Sequence, residues 1–239
     1  MRHTALVTGG ARGIGAAIVT ALAGDAWVAS LDCDFPDGPG AAAATFTADV
    51  RDGSGLGDAV EQITQARDGL DWVVCAAGIV RDRVSWKMSD AEWDDVIDVN
   101  LTGAFKMVRA ALPALRKSEH GRVVFISSIN GLRGSFGQAN YAAAKAGLVG
   151  LARSLGLELA RHAVTVNVVA PGFIDTAMTR RLPQAIRERA LLRTPLGRTG
   201  TPEEVGTLVR FLCSDAAAFI TGAVVPIDGG QLLGGGFET

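Results

Sequence analysis

Short, continuously apolar runs alternate with longer Ala- and Leu-rich periodic segments along the whole chain, and this alternation limits the fold more than any other feature. The runs Thr4–Thr8, Trp27–Asp32, Thr45–Ala48, Asp71–Ala76, Arg122–Ser127, Thr165–Ala170 and Ala223–Ile227 predict strands. The intervening segments Ile14–Ala23, Gly57–Ala66, about Leu101–Arg116, Tyr141–Ala160 and Glu203–Cys213 predict helices. Strands with no polar alternation need cover on both faces, which a parallel sheet joined by right-handed helical crossovers supplies. The expected fold is therefore doubly wound α/β, with helices on both faces of the sheet. The link Cys33–Ala44 is short and rich in Pro, Gly and Ala, leaving room for a crossover helix of at most about two turns, over Ala41–Ala44.

With 239 residues, 48% apolar and 20% charged, the chain can bury a large core, and no linker divides it. A single domain over 1–239 follows. The net charge of −2 gives no footprint for nucleic acid, and no basic block offers a membrane surface site. Met1-Arg2-His3-Thr4 leads straight into Ala5-Leu6-Val7 without a secretory signal pattern, and no apolar run reaches spanning length, so a cytoplasmic protein is expected. Cys33, Cys75 and Cys213 are widely spaced and read as small buried hydrophobes. His3, His120 and His162 show no metal-ligand spacing, so no catalytic metal is expected.

The first strand runs into Thr8-Gly9-Gly10-Ala11-Arg12-Gly13-Ile14-Gly15, where glycines permit a tight turn and let backbone N–H groups approach a pyrophosphate at a helix N-terminus. Between the first strand and first helix of a βαβ unit, this run predicts dinucleotide binding. Asp32 closes the second strand 17 residues after Gly15, the place for a carboxylate that accepts from the adenosine ribose and repels a 2′-phosphate. Arg12 pulls the other way, since a guanidinium there can pair with such a phosphate or lie along the pyrophosphate. The balance favours NAD over NADP.

The one tyrosine, Tyr141, stands four residues before Lys145 at the start of a predicted helix, so the two share a face. A lysine ammonium near a phenol favours its ionised form and tunes it for proton transfer. The bland alternative is a packed aromatic beside a lysine stem.

Taken together, the motifs resemble the short-chain dehydrogenases/reductases, in the group that includes the 3-oxoacyl-acyl-carrier-protein reductases, a Rossmann-type fold. They are Thr8-Gly9-x-x-x-Gly13-x-Gly15, Asp49-Val50, Asn100 in Val99-Asn100-Leu101, Ser128, the Tyr141/Lys145 pair and Pro171-Gly172. The resemblance implies that Tyr141 exchanges a proton with the substrate oxygen while Ser128, 13 residues earlier, hydrogen-bonds the same oxygen. Ser127 is the alternative serine and is expected to face away. Lys145 would lower the phenol pKa and bind the nicotinamide ribose, and Asn100 would hold a water next to it, although a plain helix cap also fits Asn100. Gly9, Arg12, Gly13, Ile14, Gly15, Asp32, Asp49, Val50, Ala76, Gly78, Pro171 and Gly172, with Tyr141 and Lys145, would line the cofactor. Ile174 and Thr176 match positions contacting the carboxamide. Thr199 and Thr201 read as a loop residue and a helix cap before Pro202.

Two places depart from the family pattern. Cys75-Ala76-Ala77-Gly78 stands where many members have Asn-Asn-Ala-Gly, removing side-chain hydrogen bonds but not backbone ones. Glu119 and His162 occupy places where carrier-protein reductases present basic residues, with Arg116, Lys117, Arg122 and Arg161 nearby to compensate.

The sequence thus points to an NAD(H)-dependent oxidoreductase interconverting a secondary alcohol and a ketone, its small-molecule substrate covered by a lid at about 173–200. That segment mixes Met178, Leu182, Ile186, Leu191 and Leu192 with Arg180, Arg181, Arg187, Arg189 and Arg193. The alternatives are a 3-oxoacyl thioester reductase using NADPH and, from another class, a nucleotide-binding scaffold without turnover. Small residues on the Tyr141–Ala160 helix, with the family resemblance, imply a homotetramer or homodimer through this helix and its Leu101–Arg116 neighbour.

Overall fold

The apolar runs form strands β1 (His3–Thr8), β2 (Ala26–Asp32), β3 (Ala44–Thr47), β4 (Trp72–Cys75), β5 (Arg122–Ile126), β6 (Thr165–Pro171) and β7 (Val224–Ile227) in a computed structural model that describes residues 3–234. Met1, Arg2 and 235–239, the ends of the expected 1–239 unit, lie outside the described residues. The strands make one sheet in the order β3-β2-β1-β4-β5-β6-β7, every neighbouring pair parallel. Strand order reverses beside β1, where Thr8 is in register with Leu31 on one side and Cys75 on the other. A crevice opens past the carboxyl ends of strands at such a switch.

The helices are α1 (Gly13–Leu22), α2 (Gly53–Arg67), α3 (Asp90–Ile97), α4 (Gly103–Leu115), α5 (Ile129–Arg133), α6 (Ala139–Leu159), α7 (Ala177–Arg180), α8 (Gln184–Leu192) and α9 (Pro202–Cys213). Successive strand residues face opposite sides. In β1, Leu6 joins a core with α2, α4 and α6 through Leu56, Met107 and Leu148, whereas Ala5 and Val7 join Ile18, Val205 and Val209 of α1 and α9. Each fully buried large aliphatic contributes about 1.5–3 kcal/mol, so both faces are needed to hold the sheet.

The structure differs from the sequence expectation in several places. No helix forms over 41–44; those residues turn directly into β3, because four residues with Pro39-Gly40 before them cannot repay helix nucleation. Helix α2 begins four residues earlier than expected because Asp52 caps it, accepting from Ser54 N at 3.0 Å. Helix α3 was not anticipated, since its sequence buries only Val96, yet Ser89 and Glu92 form a full capping box at its start. Cys33, expected inside, is exposed at the end of β2, while Cys75 and Cys213 are buried.

Candidate active site

The crevice above β1 and β4 is a cleft of about 630 Å³. It gathers the predicted cofactor residues Gly9, Arg12, Gly13, Ile14, Gly15, Asp32, Asp49, Val50, Ala76, Gly78, Pro171, Gly172, Ile174 and Thr176 around Ser128, Tyr141 and Lys145. Asn100 lies just behind this wall.

Helix α1 is built to receive an anion. Its cap residue, Arg12, supplies no side-chain hydrogen bond and its first turn holds no acidic residue, so its leading N–H groups face the cleft uncompensated. A Cβ on Gly15 would lie 1.9 Å from the Gly9 carbonyl oxygen, so only glycine lets the turn fold this tightly. The left-handed φ of +56° at Gly13 completes the bend. These features fit the pyrophosphate of a dinucleotide. The departure at Cys75-Ala76-Ala77 is covered from β1: Ala76 N donates to Thr8 O at 3.1 Å and Ala77 N to Thr8 Oγ1 at 3.4 Å.

Ser128 ends the loop after β5 and caps α5, its Oγ accepting from Asn130 N at 3.1 Å. Its hydroxyl and the Tyr141 phenol line the same cleft, and the hydroxyl favours the ionised phenol. Ser127 faces the interior, as expected, and donates to the Lys145 carbonyl at 2.8 Å. Helix α5 packs so closely on α6 that a Cβ on Gly131 would meet Lys145 backbone and Cβ at 2.8 Å. The serine and tyrosine helices are thereby locked together.

Burial pushes the Tyr141 phenol above its ordinary pKa, with the Ser128 hydroxyl opposing this and the Asp82 carboxylate adding to it. This corrects the expectation that Lys145 lowers the phenol pKa: the net shift is upward, and the lysine is not among its causes. The lysine is 4% exposed, and burial depresses its own pKa to about 8. Its Nζ donates to Ile126 O at 2.8 Å and sits 5.7 Å from the centre of the Tyr141 ring.

Asn100 is 1% exposed and stands in a π-helical turn, Asp98–Thr102, between α3 and α4. It is no helix cap. Its Oδ1 accepts from Ile79 N at 2.8 Å and its Nδ2 donates to Ile79 O at 3.0 Å, fixing the segment after Gly78 in both directions. A Cβ placed on Gly78 would point between Asn100 Oδ1 at 3.3 Å and Lys145 Nζ at 3.4 Å, so the two side chains converge behind this glycine.

Three supporting residues escaped the sequence reading. Asn140, fully buried, accepts from Tyr141 N at 2.8 Å and donates to Arg81 O and Glu92 O at 3.0 and 2.9 Å. Gln138 donates to both Asp82 carboxylate oxygens at 3.0 Å and accepts from Asn130 Nδ2 at 2.9 Å. A polar residue directly beside the tyrosine was the available signal for Asn140; the distant pairing of Asp82 with Gln138 left none.

At the other end of the cleft, Asp32 accepts from Ala11 N at 3.1 Å and Cys33 N at 2.8 Å. Arg12 is ion-paired with Asp34. Asp49 accepts from Arg51, which holds its carboxyl below the usual carboxylate range.

Past Pro171-Gly172, Ile174 is buried and Thr176 caps α7 in a reciprocal box with Thr179, all lining the cleft. Helix α8 buries none of its residues: Ile186 and Leu192 remain 51% and 77% exposed. Thr201 caps α9 ahead of Pro202, as expected, with Thr199 in the preceding loop. Of the basic residues near Glu119 and His162, Arg122 is buried and paired with Asp215 at 3.4 Å, so it cannot compensate at the surface. Arg116 and Arg161 are exposed, and both donate to His162 Nε2, at 3.0 and 3.2 Å.

Among known proteins, residues 9–231 match the family model described as Enoyl-(Acyl carrier protein) reductase. The chain is 44% identical over 239 residues to the 3-oxoacyl-[acyl-carrier-protein] reductase FabG of Pseudomonas aeruginosa, covering 96% of this chain and 97% of that one. It is 42% identical over 236 residues to the protein of the same name from Escherichia coli, covering 96% and 97%. The crystal structure of gox2181 superposes with a TM-score of 0.90 at 34% identity, covering 97% of this chain and 96% of that one. No helix among the described residues is long and apolar enough to cross a membrane. With its parallel sheet, glycine turn and near full-length relatives, the chain belongs to the short-chain dehydrogenase/reductase family, whose members are NAD(P)-linked oxidoreductases.

Proposed function

We propose that this protein reduces the ketone of a 3-oxoacyl thioester to the alcohol, reversibly, with NAD(H) as cofactor, in the cytoplasm. The observation that carries the reaction class is the convergence of Ser128, Tyr141 and buried Lys145 in the same cleft as the uncapped start of α1. The substrate class, placed second by the sequence reading, draws on the printed names of relatives at 42–44% identity. The cofactor reading rests on Asp32, the carboxylate that ends β2 and lines the cleft.

A reduced nicotinamide, when bound, supplies hydride to the carbonyl carbon. Gly9, Gly13 and the first turn of α1 would hold the pyrophosphate, and Asp32 the adenosine ribose. Tyr141, its phenol kept protonated by burial, gives its proton to the carbonyl oxygen. Ser128 Oγ accepts from Asn130 N, which orients the hydroxyl, and its one proton can turn from the phenol to that oxygen as charge develops. Lys145 spends one of its three donors on Ile126 O, leaving two for the nicotinamide ribose and the phenol side. Asn100 holds the Ile79 backbone that walls this corner. We read 173–200 as a substrate lid: the uncovered apolar side chains of α7 and α8, Met178, Ile186 and Leu192, would close over the acyl chain. Exposed Phe105 of α4 and Leu157 of α6 mark the faces through which we expect subunits to pair into a tetramer, which light scattering tests.

The decisive assay follows nicotinamide absorbance with a 3-oxoacyl thioester, a simple ketone and a 2-enoyl thioester, each with NADH and NADPH. The expected result is a kcat/KM for the 3-oxoacyl thioester at least about tenfold above both others, with NADH preferred. Faster turnover of the simple ketone or of the enoyl thioester would overturn the substrate reading.

A further inference from the structure

The guanidinium that the glycine turn presents to the cleft is Arg12, and a free guanidinium at this rim would pair readily with a 2′-phosphate. In this chain it is engaged. Arg12 is ion-paired with Asp34, two residues past Asp32 and on the same rim. The next cation along the rim, Arg51, is engaged as well: Asp49 meets it at 3.0 and 2.7 Å and Asp95 at 3.3 Å. Asp32 itself is fixed as an acceptor by Ala11 N and Cys33 N.

We propose that Asp34 is a specificity-determining residue, which withholds Arg12 from a 2′-phosphate and so completes the exclusion of NADP(H) begun by Asp32. The proposal rests on the NAD(H) reading above. To bind a 2′-phosphate, Arg12 must leave Asp34, and the freed carboxylate then stays beside the incoming phosphate as a like charge. Both partners are more than half exposed, at 57% and 60%, so solvent and salt screen the pair. The contribution is therefore about tenfold in affinity rather than a thousandfold.

The test is calorimetric titration of NADH and NADPH into the wild type, Asp34→Asn, Arg12→Ala and the double variant, at low and high salt. Asp34→Asn is expected to tighten NADPH about tenfold while shifting NADH by less than about threefold, the retained NADH affinity also reporting an intact fold. The gain should vanish in the double variant, since Arg12 delivers it, and shrink at high salt. A wild type preferring NADH whose Asp34→Asn variant binds NADPH no more tightly, or keeps the gain without Arg12, would overturn the role of Asp34 and leave the cofactor reading standing. Tighter NADPH than NADH binding by the wild type would overturn the cofactor reading and this role with it.

Discussion

Lys145 Nζ lies 5.7 Å from the centre of the Tyr141 ring, one helical turn away, and spends its hydrogen bond on the Ile126 carbonyl at 2.8 Å. The lysine is thus held by β5 while facing the phenol. Its position is set by the sheet rather than by the tyrosine, so it can stabilise a developing phenolate without being tied to it.

This placement has a consequence for stability. Burial lowers the Lys145 pKa from 10.5 to about 8, so between those values the unfolded chain holds a proton that the folded one has released. Stability then rises with pH through this window, by up to about 1.4 kcal/mol per pH unit. Lys145→Met lacks the group. Urea denaturation of both proteins should show the wild type gaining on the variant from about pH 8 to about pH 10; parallel profiles would contradict the buried, depressed ammonium.

Because Tyr141 is the only tyrosine, the near-ultraviolet titration of tyrosinate in the folded protein reports this one phenol. Without added nucleotide its midpoint should lie above the ordinary value of about 10. Ser128→Ala, which removes a hydroxyl that favours the ionised form, should move it higher, and Asp82→Asn, which removes a negative charge, should move it lower. Equal midpoints in all three proteins would contradict the arrangement.

Asn100 satisfies both polar groups of the Ile79 peptide flank, and an aspartate in its place would match one and oppose the other. Asn100→Asp faces the Ile79 carbonyl with a second acceptor, and thermal denaturation should show it destabilised by about 2–4 kcal/mol at neutral pH. The loss should lessen as pH falls, because a protonated carboxyl regains a donor. A variant as stable as the wild type would show that the π-turn does not depend on this clamp.

The sheet was legible because parallel strands buried on both faces spell continuous apolar runs such as Trp72-Val73-Val74-Cys75. The turn at Gly9–Gly15 and the Tyr141/Lys145 spacing were legible because backbone geometry and helical pitch tie each of them to local sequence. Helix α3 was missed because Asp90–Ile97 is mostly polar on its face to solvent; only the Ser89/Glu92 capping box betrayed it. The direction of the Tyr141 shift was not legible for a different reason: burial by distant elements sets it, with the Asp82 carboxylate, 59 residues earlier, adding to it. The Arg12–Asp34 and Gln138–Asp82 pairs likewise join segments whose proximity only the folded chain creates.

In the proposed reaction Tyr141 is the proton donor to a substrate oxygen shared with Ser128. Steady-state reduction of a 3-oxoacyl thioester by NADH, comparing the wild type with Tyr141→Phe, tests it most directly, since the phenylalanine keeps the ring packing and removes only the hydroxyl. The kcat should fall by about 100-fold or more, with the cofactor Kd changed by less than about threefold. Turnover within about twofold of the wild type, with an unchanged pH profile, would contradict it and place the proton donor elsewhere.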